Sequence, residues 1–368
     1  MEIIHLILGK ANPDRMNGVN KVVYQMATRQ QNAGKNVAVW GITKDLIHNY
    51  GERNFKTVLF QAHKNPFKID KKLKKALIEH KKSAVIHLHG GWVPVYASLS
   101  FFLAKNNISF VLTPHGAYNT VAMQRSGITK KLYFQLFEKT LLKNAKRIHS
   151  LGESEVTGLN ELYPNSKSFL LPYGFEIPSD LPVKKINKET FIIGFVGRLD
   201  IYTKGLDLLI EAYKNFILKA PTSELWIVGD SKEKSTLEEL VKTNNLEANV
   251  KFFGSKFGIE KDELISQMTI FTHPSRNEGI PTAVLEACSM GIPSVVTHAT
   301  NIASYITKFN AGIAINDESS IELEKAFDSL YKTWKTSEME TLANNAKLLV
   351  KEAFDWDKLV TKLDDLYC

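Results

Sequence analysis

Two cysteines in 368 residues, Cys288 and Cys368, are too few for a disulfide framework. One falls in an expected buried helix and the other is the last residue, so a reducing compartment is expected. No apolar run approaches the roughly 18 residues that a membrane-spanning helix needs. The opening 2–9 is too short for a signal peptide, lacks a basic flank, and reads instead as a first buried strand. No G-x-G-x-x-G dinucleotide fingerprint follows it. No internal repeat or low-complexity tract is present. The only D-x-D triplet, Asp355-Trp356-Asp357, stands at the head of the final helix, where Asp355 suits the N-cap and Asp357 the helix dipole. These absences leave a soluble, cytoplasmic globular chain with no metal site as the expectation.

Charge is present but unevenly spread. Residues 1–185 hold 27 Lys and Arg against 12 Asp and Glu, a formal +15, and the remainder holds 20 against 27, a formal −7. Such a contrast speaks of partners rather than of fold. It points to an anionic membrane surface, a lipid-linked phosphate or a nucleic acid. Nucleic acid is not expected, because no recognised nucleic-acid motif accompanies the lysines. Two lysine-rich stretches, 68–82 and 130–143, carry apolar residues at helical spacing. They read as amphipathic helices with solvated basic faces that anionic lipid can attract. The expected location is therefore cytoplasmic, peripheral on the inner face of the cytoplasmic membrane.

Short apolar runs alternate with helical patterns along the whole chain, which is the signature of parallel sheets flanked by helices. Strands are expected over 3–8, 37–42, 57–61, 85–88, 109–112, 147–150 and 168–171, with helices over 19–31, 68–80, 94–105, 130–143 and 154–162. The segment 177–185, poor in pattern and carrying two prolines, reads as a linker. A second alternation runs through 191–197, 225–229, 250–254, 270–271 and 294–296, and ends in helices over 339–353 and 356–367. In open parallel sheets, ligands bind beyond the carboxyl ends of the strands, so the residues at those ends are the candidates for chemistry.

The richest stretch is 274–293, Pro-Ser-Arg-Asn-Glu-Gly-Ile-Pro-Thr-Ala-Val-Leu-Glu-Ala-Cys-Ser-Met-Gly-Ile-Pro. Pro281 suits the first helical position, and Ile280 before it cannot cap. The amides of Thr282 and Ala283 are thus left open to an anion. Glu278 precedes those amides and Glu286 lies in the second turn. Alone, a pair of glutamates at this spacing is as well explained by helix neutralisation and a surface lysine. A second stretch, Gly197-Arg198-Leu199-Asp200-Ile201-Tyr202-Thr203-Lys204-Gly205-Leu206-Asp207, brings a guanidinium and an ammonium to the start of a helix. Arg198 pairing with Asp200 is its plainer reading.

Together the two stretches resemble the E-x7-E and G-R-x(n)-K-G-x-D signatures of retaining glycosyltransferases of family 4, of the type that builds bacterial surface polysaccharides. That resemblance implies an α/β protein with the glycosyltransferase B fold, two Rossmann-like domains facing across a cleft. Residues 1–180 would bind the acceptor, 181–352 the nucleotide-sugar donor, and 353–368 would form a helix crossing back to the first domain. It implies that Arg198 and Lys204 hold the donor diphosphate, Glu278 the donor sugar and Glu286 the ribose. Gly197, Gly279, Ile280, Pro281 and Thr282 would line the donor. Gly254 and Ser255 would face the base with their main chain.

In the first half, Asn17-Gly18 follows the first strand where relatives commonly carry two glycines; Gly18 is an expected donor contact and Asn17 an acceptor contact. Thr113-Pro114-His115-Gly116 resembles the family's H-G-x segment, which implies that His115 lies near the anomeric carbon and contacts the donor sugar. His89, Trp92 and Tyr118 are expected to meet the acceptor. His87 and His89 share a strand face, yet no third ligand is evident, so a metal pair is not expected. The expected activity is metal-independent, retaining transfer from a nucleoside-diphosphate sugar, UDP-sugar favoured, to a glycan or lipid-linked acceptor, with no cofactor. The alternative is a non-catalytic nucleotide-sugar or glycan-binding subunit of a partner transferase.

Overall fold

The structure is a computed structural model that describes residues 1–12, 18–118, 127–182 and 189–368. Asn17 and part of the expected linker lie outside those residues. The chain divides into two compact units, Met1–Tyr173 with Trp356–Cys368, and Gly174–Asp355.

Among the described residues the first unit carries seven strands: β1 (Glu2–Leu8), β2 (Val37–Thr43), β3 (Lys56–Gln61), β4 (Ala84–His89), β5 (Phe110–Thr113), β6 (Arg147–Ser150) and β7 (Ser168–Leu170). They pair in parallel throughout, in the order β3-β2-β1-β4-β5-β6-β7. Strands buried on both faces read as nearly continuous apolar runs, and alternate side chains feed two cores. Ile4, Leu6, Ile86 and Leu88 pack on one side of the sheet. Ile3, Ile7, Val85 and Val111 pack on the other, under the helix Gly18–Asn32 and the terminal helix Trp356–Tyr367, which buries Trp356, Leu359, Val360, Leu363 and Leu366 there.

The second unit has β8 (Ile192–Val196), β9 (Glu224–Val228), β10 (Val250–Gly254), β11 (Ile270–His273), β12 (Ser294–Thr297) and β13 (Gly312–Ile315). These are also parallel, in the order β10-β9-β8-β11-β12-β13. Each sheet is doubly wound, so strand order reverses once: between β1 and β4 in the first unit, between β8 and β11 in the second. At such a switch point adjacent connections part to opposite faces and leave a crevice at the carboxyl ends. The loops after β8 and β11 are the 197–207 and 274–282 stretches. The histidines of β4 close the corresponding end in the first unit.

Two helices differ from the sequence expectation. The 130–143 helix is three pieces, Gly127–Tyr133, a π-helical turn Phe134–Glu138, and Lys139–Asn144. The wide turn directs Glu138 inward, where it accepts the hydroxyl proton of Tyr118. The helix after β11 runs Thr282–Ser289, so Pro281 is its N-cap (φ −72°, ψ 115°) rather than its first helical residue. The consequence for the amides is unchanged, since proline offers no side-chain cap.

Candidate active site

In the second unit the two motif stretches, distant in sequence, are locked together by backbone. The Arg276 amide donates to Thr203 O at 3.0 Å. Gly205 takes a left-handed φ of +65° and passes so close to the Pro274 carbonyl that any Cβ there would overlap it. Asp200 caps the short helix Ile201–Lys204 through the Thr203 amide at 3.0 Å. Arg276 reaches back with a bidentate grip on Asp207, 2.8 Å on both contacts, and donates to Tyr202 O at 2.7 Å. The sequence singled out neither Arg276 nor Asp207 as such a clamp. Its effect is to fix where Lys204 projects.

Lys204 projects onto Glu278, and the two form an ion pair. His273 Nε2 lies 3.5 Å from the same carboxylate. Burial tends to raise the Glu278 carboxyl, but His273 and the Lys204 charge outweigh it and hold the group down to about 2. His273, its ring nearly parallel to those of Phe195 and Phe271, is itself pushed below the usual histidine range by burial. It was not a sequence candidate. Beyond Glu278, Gly279 faces open space, and its carbonyl accepts from the Asn301 amide at 3.0 Å. Ile280 is half-buried, Pro281 is buried and Thr282 exposed. No side chain caps the helix at Thr282, and its first internal bond is from the Val284 amide to Pro281 O. The amides of Thr282 and Ala283 therefore stand beyond the helix's own bonding, four to five residues after a carboxylate already neutralised by a lysine.

The other expected donor residues of this unit are placed less tightly. Arg198 is largely exposed and pairs loosely with Asp200 at 3.5 Å, which is the plainer reading of the sequence. Glu286 holds Lys261 at 2.6 Å, a partner the sequence did not disclose. Gly197, Gly229 and Gly254 form a ladder across the ends of β8, β9 and β10: the Gly197 amide donates to Val228 O at 3.0 Å and the Gly229 amide to Gly254 O at 2.9 Å. A Cβ on Gly229 would collide with the Gly197 carbonyl, so that contact requires glycine. Gly254 and the exposed Ser255 follow at the last rung.

In the first unit Gly18 opens the helix Gly18–Asn32. His115 and Gly116 follow β5, both with positive φ, and the Gly116 amide donates to Glu155 at 2.6 Å. His115 is joined by His89 at 3.0 Å and by the Tyr173 hydroxyl. Two expected acceptor contacts sit too deep to reach one: Tyr118 is fully buried on Glu138, and His89 lies inside the sheet's core with both nitrogens bonded. Trp92, half-buried, gives its Nε1 proton to Ala117 O at 3.0 Å. A cavity of about 170 Å³ opens near the ends of β1 and β2, lined by Leu8, Ile42, His63, Pro66, Lys68 and Val93.

The structure also supplies the third imidazole that the sequence did not show beside His87 and His89. His5 completes a group whose nitrogens lie within 4.8 Å of one another. Each of the three rings is already hydrogen-bonded through both nitrogens. Since a metal needs a free lone pair, the group is not assigned as a metal site.

Comparison with known proteins bears on this geometry directly. The model described as "Glycosyltransferase Family 4" matches residues 16–176, and that described as "Glycosyl transferases group 1" matches 176–349. The chain belongs to the glycosyltransferases. It is 27% identical to an uncharacterized glycosyltransferase of Methanocaldococcus jannaschii over 70% of this chain and 65% of that protein, so it spans about two thirds of that relative's length. It is 23% identical to the O-antigen biosynthesis glycosyltransferase WclY of Escherichia coli over 94% and 98%. A third relative, at 24% over 79% and 76%, is the Escherichia coli UDP-Gal:alpha-D-GlcNAc-diphosphoundecaprenol alpha-1,3-galactosyltransferase. Among solved structures, the Anabaena HepE protein in complex with UDP superposes with a TM-score of 0.73 at 16% identity, covering 100% of this chain and 99% of that one. The lipopolysaccharide outer core galactosyltransferase WaaB does so at 0.75 and 12%, with coverage of 100% and 99%. Both carry the glycosyltransferase B fold, and so does this chain.

Proposed function

We propose that this glycosyltransferase moves a sugar, with retention at the anomeric carbon, from a nucleoside-diphosphate sugar (UDP-sugars foremost) to a glycan or lipid-linked acceptor in surface polysaccharide assembly. The observation that carries the reading is the ion pair of Lys204 with Glu278, which stands four residues before the uncapped amides of Thr282 and Ala283 in the same unit. Ammonium and amides are complementary to a diphosphate leaving group. In the proposed reaction the bond between the anomeric carbon and the diphosphate oxygen breaks. The acceptor oxygen bonds to that carbon on the same face, and its proton passes to the departing phosphate. Arg198 and Lys204 balance the charge that builds on the diphosphate, so no metal is required. Glu286 and Glu278 hold hydroxyls of ribose and donor sugar, Glu286 exchanging Lys261 for them. The relatives' names, one an O-antigen enzyme and one acting on a diphosphoundecaprenol acceptor, support the polysaccharide setting. The apolar walls of the cavity at Leu8 and Val93, with Lys68 beside them, suit a lipid-linked phosphate.

Thermal melting against a panel of nucleotide sugars tests the donor. A ligand at 100 times its Kd adds about 2.7 kcal/mol of stability, so a UDP-sugar is expected to raise Tm by several degrees and to support transfer with the anomeric configuration kept. No stabilisation by any nucleotide sugar overturns the reading. Tight binding without turnover turns it into a binding subunit.

Among the described residues no helix is long and apolar enough to cross a membrane. Peripheral attachment is proposed instead through the exposed lysines 71, 72, 74, 75, 81 and 82, with Ile78, Leu132 and Leu136 about half exposed on the same unit. Each basic residue at an anionic surface contributes about 1 kcal/mol. Anionic liposomes are expected to retain the protein at low salt and to release it at high salt, as screening shortens the interaction. Equal retention by neutral vesicles would refute an electrostatic attachment.

A further inference from the structure

Behind His115 the first unit buries four more histidines, and their hydrogen bonds form a single line. The Tyr173 hydroxyl meets His115 Nδ1. His115 Nε2 lies 3.0 Å from His89 Nδ1, His89 Nε2 2.9 Å from His5 Nδ1, and His5 Nε2 2.7 Å from Gln30 Oε1. The Gln30 amide nitrogen continues to the Tyr367 hydroxyl at 3.1 Å, which meets His87 Nδ1 at 3.0 Å. From His87 Nε2 the line passes to Thr113 Oγ1 at 2.6 Å and on to His149 Nδ1 at 2.9 Å. It ends where His149 Nε2 meets the backbone oxygen of Leu171 at 2.8 Å.

That end determines everything before it. A carbonyl only accepts, so His149 carries its proton on Nε2. A neutral imidazole has one donor and one acceptor nitrogen, so His149 Nδ1 accepts from the Thr113 hydroxyl. With its proton committed, that hydroxyl accepts from His87 Nε2–H, and His87 Nδ1 accepts from Tyr367. The Tyr367 oxygen accepts from the Gln30 amide, whose own oxygen accepts from His5 Nε2–H. The same step through His5 and His89 directs the Nε2–H of His115 inward and leaves its Nδ1 as an acceptor. All five rings share one neutral tautomer, and each link is satisfied. Burial holds all five below the usual histidine range. The ionisable groups nearby are otherwise engaged: Glu155 binds the amides of Gly116 and Leu151, and Asp364, near Tyr367, pairs with Lys35.

The line cannot conduct a proton, because the Leu171 carbonyl has none to hand on. What it does is hold a direction. Run in reverse, with the Gln30 amide turned over so that its oxygen meets Tyr367 and its nitrogen His5, every other donor becomes an acceptor and His115 Nδ1 becomes a donor; the carbonyl at the far end forbids this. We propose that Thr113, His87, Tyr367, Gln30, His5 and His89 are positioning residues that keep His115 Nδ1 an acceptor for a hydroxyl of the donor sugar, the same chemical group that Tyr173 presents to it here. This rests on the reading that His115 contacts the donor sugar.

Thr113→Val is nearly isosteric and cuts the line, which frees the part from His87 to His115 to reverse; Thr113→Ser keeps it. Nitrogen-15 spectra of the histidine rings in the full chain read the tautomers. The wild type is expected to show all five as neutral Nε2–H. In Thr113→Val, His115 is expected to gain the Nδ1–H form and the donor KM to rise about three- to tenfold, the worth of one hydrogen bond, with kcat changed less. Thr113→Ser restores both. A charged or Nδ1–H His115 in the wild type overturns the proposal. So does a folded Thr113→Val whose His115 signals are unchanged, or whose donor KM is unchanged. Tyr367→Phe cuts the same line elsewhere and serves if Thr113→Val fails to fold. Absence of turnover on any nucleotide sugar, by a wild type whose rings keep this tautomer, counts against the function proposed above and removes the sugar hydroxyl from this one.

Discussion

Replacing Lys204 by alanine is expected to lower turnover by about 10²–10³-fold, the usual cost of one preorganised charge-stabilising group, while the chain still melts cooperatively. The position of this ammonium is set by backbone: Asp200 caps its helix, Gly205 presses on Pro274, and the Arg276 amide bonds to Thr203. Those contacts survive the substitution, so the loss falls on chemistry first. Glu278 then retains His273 but not the lysine, and its carboxyl moves up from about 2 toward the ordinary range. Lys204→Arg is expected to recover part of the rate, because it keeps the charge and changes its shape. Saturating-donor assays beside a melting curve decide the matter. A folded Lys204→Ala with turnover within about tenfold of wild type takes this lysine out of the reaction.

Much of this architecture is legible in the sequence, and the exceptions share a cause. Doubly buried parallel strands advertise themselves as apolar runs, so β1 to β7 and most of the second sheet are seen close to where the pattern puts them. β13 escaped notice because Gly312-Ile313-Ala314 is only half-buried at the sheet's edge. The π-helical turn escaped because a glutamate in an amphipathic helix reads as solvent-facing, whereas Glu138 turns in to Tyr118. Motif resemblance could name Lys204 and Glu278 separately, but their contact, and those of Arg276 with Asp207 and Lys261 with Glu286, exist only once the loops after β8 and β11 meet. The histidine line shows the same limit. His87 and His89 share strand parity and so share a face, yet Gln30 and Tyr367 come from two helices that cover that face, and nothing in the strand pattern names them.

Acidification from pH 7 to pH 5 is expected to destabilise the first unit steeply. Burial holds the five histidines of the line below the usual histidine range, His5 and His149 at about 4 and His115 at about 3, with His87 and His89 also well below the value of about 6.5 that each has when the chain is unfolded. Below pH 6.5 the unfolded chain therefore binds protons that the folded chain refuses, and stability drops as pH falls. Two carboxyls act in the opposite sense. Burial raises Glu138 and Glu155 to about 7, so the folded chain holds their protons while the unfolded chain releases them above about 4.5, and they favour the fold on acidification. Between about pH 5 and 6 His5, His115 and His149 take up protons on unfolding against the two released, and His87 and His89, held well below the usual range, add to the uptake. Each net proton taken up is worth about 1.4 kcal/mol per pH unit, against the 5–15 kcal/mol that typically holds a domain together. Urea unfolding followed across this range measures the slope. A midpoint that stays level or climbs on acidification means that at least some of these rings are charged in the folded chain, which the one-way line from Tyr173 to Leu171 does not allow.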